Sequence, residues 1–108
     1  MKYIFEVLID ADYSAEQYAA AWLEASRLIQ KAAGARGTYL HRDLHDERRL
    51  LAIAHWESKA ARDASHAGQD PAIKAIIQSQ AEHVQIRLLG EFADADWQVE
   101  PLEPSTKA

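Results

Sequence analysis

The run Tyr3-Ile-Phe-Glu-Val-Leu-Ile9 is apolar on both of its faces. It is short and rich in aromatic and β-branched residues, the pattern of a strand. Tyr3, Phe5, Val7 and Ile9 alternate onto one side, and Ile4, Glu6 and Leu8 onto the other. A strand with two apolar sides has to be covered twice. A chain of 108 residues holds one domain and one core. Helices can cover one side of that strand, and something else must cover the other.

The rest of the chain supplies the helices and three more strands. Ser14 begins a helix with Gln17 three residues later, a capping box. Tyr18, Trp22, Ala25, Ile29 and Ala32 then recur at spacings of four and three, which makes one helical face. Gly34 is the expected stop. Residues 37–44 and 50–56 read as a hairpin around Asp46-Glu47-Arg48. Ser58 caps a short alanine-rich helix over 59–67. Asp70-Pro71 starts a further helix with its stripe at Ile73, Ile76 and Ile77, running to about Glu82. In the last strand, 83–92, Val84, Ile86, Leu88 and Phe92 alternate with His83, Gln85, Arg87 and Glu91.

This order predicts an α+β fold: a ferredoxin-like split βαβ unit with a four-stranded antiparallel sheet and both helical segments on one face. The domain is expected over 1–100, with a flexible tail over 101–108. Too few residues on the sheet's second face are polar for it to lie in water. A second copy of the chain is the expected cover, so a homodimer is predicted. Trp97 falls outside the strand and helix pattern and is expected to clamp that partner.

Composition removes several function classes. The net charge is -5, so the basic surface that nucleic acid requires is missing. The absence of cysteine excludes disulfides, thiolate metal sites and cysteine nucleophiles. No apolar run approaches the roughly 20 residues of a membrane span. Met1 to Asp10 lacks the basic and small-residue flanks of a secretory signal, so the cytoplasm is the expected compartment.

The stretch from Gly37 through Trp56-Glu57 to Ala64 resembles the antibiotic biosynthesis monooxygenase family. It has a strand opened by glycine, a charged turn, an apolar strand ending in Trp-Glu and a short alanine-rich helix. The likeness extends over about residues 3–92. It implies a dimeric α+β barrel with a small cavity between each sheet and its own helices or the partner. Some members oxygenate aromatic polyketides without metal or flavin, so the resemblance implies a cofactor-free monooxygenase. The alternative is a non-oxidative isomerase, cyclase or ligand-binding dimer on the same scaffold. The haem-degrading branch uses an Asn on the first strand and a Trp on the short helix. This chain has no Asn, and residues 59–67 contain no Trp.

Among the ionisable residues, His55 at the end of a central strand is the expected general base. Arg87 is the expected anchor for an anionic oxygen. Glu6 would orient an imidazole, and His41 joins the set if the hairpin connection is odd in length, which is the expected case. Tyr39, Trp56 and Trp22 are the candidate substrate contacts. The competing structural reading makes Glu6 and Arg87 a cross-strand ion pair and makes the tryptophans core. His41 and His45 have helical spacing but sit in a strand, where four residues span roughly 13 Å, so no metal site is expected.

Overall fold

The computed structural model describes residues 1–103. The elements run β1 (Lys2–Ile9), α1 (Ala15–Ile29), β2 (Ala35–Arg42), β3 (Arg49–Trp56), α2 (Lys59–Ala67), α3 (Pro71–Gln80) and β4 (Val84–Phe92). The strands form one antiparallel sheet in the order β2-β3-β1-β4, the ferredoxin-like arrangement. Of the tail expected over 101–108, residues 104–108 lie outside the described residues.

Local signals set the helix starts. Ser14 Oγ accepts from the Gln17 amide at 3.0 Å, and Gln17 Oε1 accepts from the Ser14 amide at 3.0 Å. Ser58 Oγ accepts from the Ala61 amide, and Asp70 Oδ1 from the Ala72 amide, with Pro71 opening α3. The first helix ends earlier than Gly34. After Ile29 the chain tightens into successive three-residue turns, Lys31 N–H to Leu28 O and Ala32 N–H to Ile29 O. Gly34 follows at φ 85°, and its carbonyl accepts from the Glu57 amide at 2.8 Å. A Cβ at Gly34 would stand 2.6 Å from Ala61 Cβ, so the turn also sets how closely α2 approaches.

Pairing register sorts the side chains between the two sheet faces. Val7 opposes Leu50 and Ile86, and Phe5 opposes Ala52 and Leu88, so these face the helices. The core there is built from Val7, Ile9, Ala15, Tyr18, Leu50, Ala52 and Val84. Burying the larger aliphatic side chains among these, such as Val7 and Leu50, stabilises the fold by roughly 1.5–3 kcal/mol each. The other face presents Ile4, Glu6, Leu51, Ile53 and Tyr39.

The expected alternation of β4 breaks near its end. Phe5 pairs with Leu88 but Ile4 pairs with Gly90, so Leu89 is an extra residue, a β-bulge. Beyond it the parity inverts. Glu91 opposes Tyr3 and turns to the helical side, where its carboxylate accepts from Lys59 Nζ at 2.9 Å. Phe92 opposes Lys2 on the open face, and its ring lies 2.8 Å from where a Cβ at Gly90 would stand. The grouping of Phe92 with Val84, Ile86 and Leu88 is therefore corrected: the bulge places it on the opposite face.

Candidate functional site

Two places in the molecule carry concentrated chemistry, one on each face of the sheet.

On the open face, Glu6 sits 8% exposed between two guanidinium groups. Arg49 Nε donates to Glu6 Oε2 at 2.7 Å, and Arg87 Nη2 lies 3.3 Å from Glu6 Oε1. Arg49 Nη1 donates onward to Asp43 Oδ2 at 2.8 Å. The two amides of His45 and Asp46 also donate to Asp43 Oδ1. These contacts, the His45 amide first and Arg49 next, hold the Asp43 carboxyl below its usual range. Arg49 is held protonated chiefly by Glu6 and then by Asp43. The pairing of Glu6 with Arg87 was legible in the sequence; Arg49 and Asp43 were not, because both look like residues of a charged turn.

Residues 43–49 separate the last β2–β3 pair, Arg42 and Leu50, an odd number, and His41 and His55 lie on the same face. They are not neighbours. His41 opposes Leu51, whereas His55 is four residues further along β3, ~13 Å away. The His55 Nε2 is buried, makes no hydrogen bond among the described residues and stands 3.4 Å from Asp94 Oδ1. Asp94 is itself bonded at 3.0 Å to the Met1 amino group, which, ahead of His55, lowers its pKa. Tyr39 is on this face and 53% exposed. The four residues expected to be catalytic thus share a face, but only Glu6 and Arg87 touch. Among the described residues no group of three His, Asp or Glu side chains is placed to hold a metal ion.

On the helical face lies a cavity of about 290 Å³. Its floor is β1 and β3, with Tyr3, Phe5, Ala52 and Trp56. Its walls are Tyr18, Trp22 and Ser26 of α1 and Ile76, Ile77 and Gln80 of α3. Arg62, Ser65 and His66 of α2 close one end. Most of the lining is apolar. Of the residues singled out from the sequence, Trp56 and Trp22 are here; Glu6, Tyr39, His41, His55 and Arg87 are on the other side of the sheet.

The cavity's polar residues were missed by sequence reasoning. Arg62, Ser65 and His66 stand three and four residues apart on α2, which therefore turns a polar stripe toward the cavity, and Gln69 just beyond the helix adds to it. A helix packed on a core ordinarily turns an apolar stripe inward, so that inversion was the available signal. Two tyrosines also matter. Burial pushes the Tyr18 phenol up to about 12. Tyr3 is 2% exposed, and its hydroxyl meets no partner in hydrogen-bond geometry among the described residues. Its pKa is raised by burial first and by the nearby Glu91 carboxylate second.

The sequence profile of the antibiotic biosynthesis monooxygenases matches residues 4–79. No curated protein sequence matches the chain. Solved structures do. A point variant of SnoaB, a cofactor-independent oxygenase from Streptomyces nogalater, superposes with a TM-score of 0.78 at 13% identity, covering 93% of this chain and 96% of that one. A Bacteroides thetaiotaomicron protein named for antibiotic biosynthesis monooxygenases gives 0.72 at 16% identity, covering 93% and 95%. A conserved protein from Methanosarcina mazei gives 0.66 at 11% identity, covering 81% and 87%. At these identities the likeness establishes the fold.

Proposed function

The chain belongs to the antibiotic biosynthesis monooxygenase family, and on that basis we propose that it oxygenates a small aromatic substrate in the cavity between the sheet and the helices. The observation that carries this reading is the cavity itself, about 290 Å³ with a largely apolar lining. An electron-rich aromatic can supply every electron the reaction needs. Removal of a proton from a ring-activated methylene gives a delocalised carbanion that reduces dioxygen. The balance is then CH2 + O2 → C=O + H2O, with no electron drawn from metal or flavin. The protein's part is to hold the ring, exclude water and accept the proton.

Trp22 and Trp56 supply flat walls for the ring. His66 is the imidazole of the lining and takes the role of proton acceptor in this reading. His55, His41, Arg87 and Glu6, with Tyr39, lie on the opposite face, and we assign them to contact with a second copy of the chain. Ile4, Leu51, Ile53 and Phe92 give that face its apolar area around the Glu6 ion network. Trp97, Val99 and Leu102, all at least 90% exposed, would lie against the partner.

The test is oxygen uptake with a panel of anthrones and naphthols. One dioxygen consumed per substrate is expected, with a loss of 10²-fold or more in His66→Ala. An unchanged rate there, with a collapse in His55→Ala, moves the chemistry to the open face. One observation favours a second reading, a ligand-binding dimer without turnover: the cavity lining contains no carboxylate, and its imidazole is exposed. Binding without oxygen uptake would establish that alternative.

A further inference from the structure

The polar groups of the cavity stand at opposite ends and differ in charge. Along α1, Tyr18 and Ser26 both line it, with Trp22 between them. Eight residues of helix separate Tyr18 from Ser26 by ~12 Å. Tyr18 sits in the uncharged core cluster with Val7, Leu50, Ala52 and Val84. Burial alone acts on its hydroxyl, which therefore stays protonated at neutral pH and has a proton to donate to a ligand's oxygen.

The other end holds a guanidinium. The Arg62 guanidinium carbon lies 4.5 Å from the centre of the Tyr3 ring. Its carboxylate partner among the described residues is Asp63, at 3.5 Å and half exposed, so most of its five donors are uncommitted. The neighbouring Lys59 is already paired with Glu91 at 2.9 Å. Of the two cations at this end of an apolar cavity, Arg62 is therefore the one whose donors are free to turn to a ligand. A guanidinium there favours an anionic oxygen over a neutral one, through charge-assisted hydrogen bonds.

We propose that the cavity takes a flat aromatic anion lengthwise, its ionised oxygen against Arg62 and a carbonyl oxygen at its far end receiving a hydrogen bond from Tyr18. The proposal rests on the reading of this cavity as the ligand site and does not depend on turnover. It excludes two ligand classes. A cationic aromatic would meet Arg62, and a hydrocarbon would leave the Tyr18 donor buried and unsatisfied. The ionised oxygen is a carboxylate or a phenolate, and in both the charge selects the orientation before any chemistry begins.

Binding to the full-length protein tests this with three probes of one shape: 6-acetyl-2-naphthoate, 6-acetyl-2-naphthamide and 6-ethyl-2-naphthoate, titrated by calorimetry. The protein should prefer the acetyl acid to the acetyl amide about tenfold or more. Arg62→Gln should erase that preference while leaving the amide's affinity unchanged. Tyr18→Phe should weaken the acetyl acid roughly fivefold and leave the ethyl acid alone. Equal binding of acid and amide, or a preference that survives Arg62→Gln, overturns the proposal while leaving the cavity as a ligand site. Equal losses for the acetyl and ethyl acids in Tyr18→Phe also overturn it. If none of the probes binds, the cavity reading fails with it.

Discussion

Gly34 offers a perturbation whose cost can be worked from geometry. Its φ of 85° is a conformation that a residue with a Cβ adopts at a cost of about 1–2 kcal/mol. A Cβ there would also lie 2.6 Å from Ala61 Cβ, where carbon atoms in contact stand about 3.5–4.0 Å apart. Relieving that contact means moving α2 outward by ~1 Å, and overpacking of this kind costs about 1–3 kcal/mol. Gly34→Ala should therefore destabilise by about 2–5 kcal/mol, a large share of a typical domain's 5–15 kcal/mol. The two contributions can be separated. Ala61→Gly removes the colliding atom and by itself costs about 1 kcal/mol of helix propensity. In the Gly34→Ala background it should return the steric part and leave the backbone part. Urea unfolding of the four proteins at one fixed protomer concentration gives the cycle. The expected coupling is about 1–3 kcal/mol in favour of the double variant. Additivity within about 0.5 kcal/mol would show that α2 does not press on Gly34 in solution. A total cost for Gly34→Ala below about 1 kcal/mol would refute the backbone conformation as well.

Other outcomes follow from the two faces of the sheet. Glu6→Gln leaves two guanidinium groups facing each other without their shared carboxylate and should cost about 1–2 kcal/mol in urea unfolding, moderated by the partial exposure of both arginines. A loss below about 0.3 kcal/mol would make the network ornamental. Tyr18 is pushed from 10.0 up to about 12, so the fold prefers its neutral phenol. Its contribution is whole below pH 10 and falls away as pH rises from 10 toward 12, by up to about 2–3 kcal/mol. Tyr18→Phe should flatten the stability profile across that interval and delete the latest step of the tyrosinate absorbance titration. A profile identical to the parent's would contradict the burial of that hydroxyl. Sedimentation equilibrium should give the mass of two chains, and a charge introduced by Leu51→Glu, on the open face opposite Glu6, should give one. A dimer that survives the substitution would place the contact elsewhere.

The sequence was informative where structure is decided locally. Ser14 with Gln17, Ser58, and Asp70-Pro71 announce their helices because a cap is satisfied within three residues of itself. The α+β order was likewise legible from the change between period two and period 3.6. The bulge at Leu89 was not, since it exists only relative to Ile4 and Phe5, more than eighty positions away. A cavity was expected from the family resemblance, but its polar end was missed for a related reason. Its polar end is assembled from α2 and β1, and Arg62 in isolation is an ordinary surface arginine. Attention to ionisable residues on strands led to the open face, where Glu6 and Arg87 do meet. In the reading proposed above, that face holds the sheet together and the cavity takes the small molecule.

The bulge in β4 decides where a charge stands. If the same residues paired without it, Leu89 would oppose Ile4, Gly90 would oppose Tyr3, and Glu91 would leave the side of Lys59 and Tyr3 for the opposite surface. Lys59 would then lose its carboxylate beside Arg62, and the closed end of the cavity would gain one positive charge. A change of pairing in one strand could thus retune what the protein binds without altering any residue that lines the cavity. Among proteins of this fold, the presence of a bulge in β4 is a variable to read alongside the identity of the pocket residues.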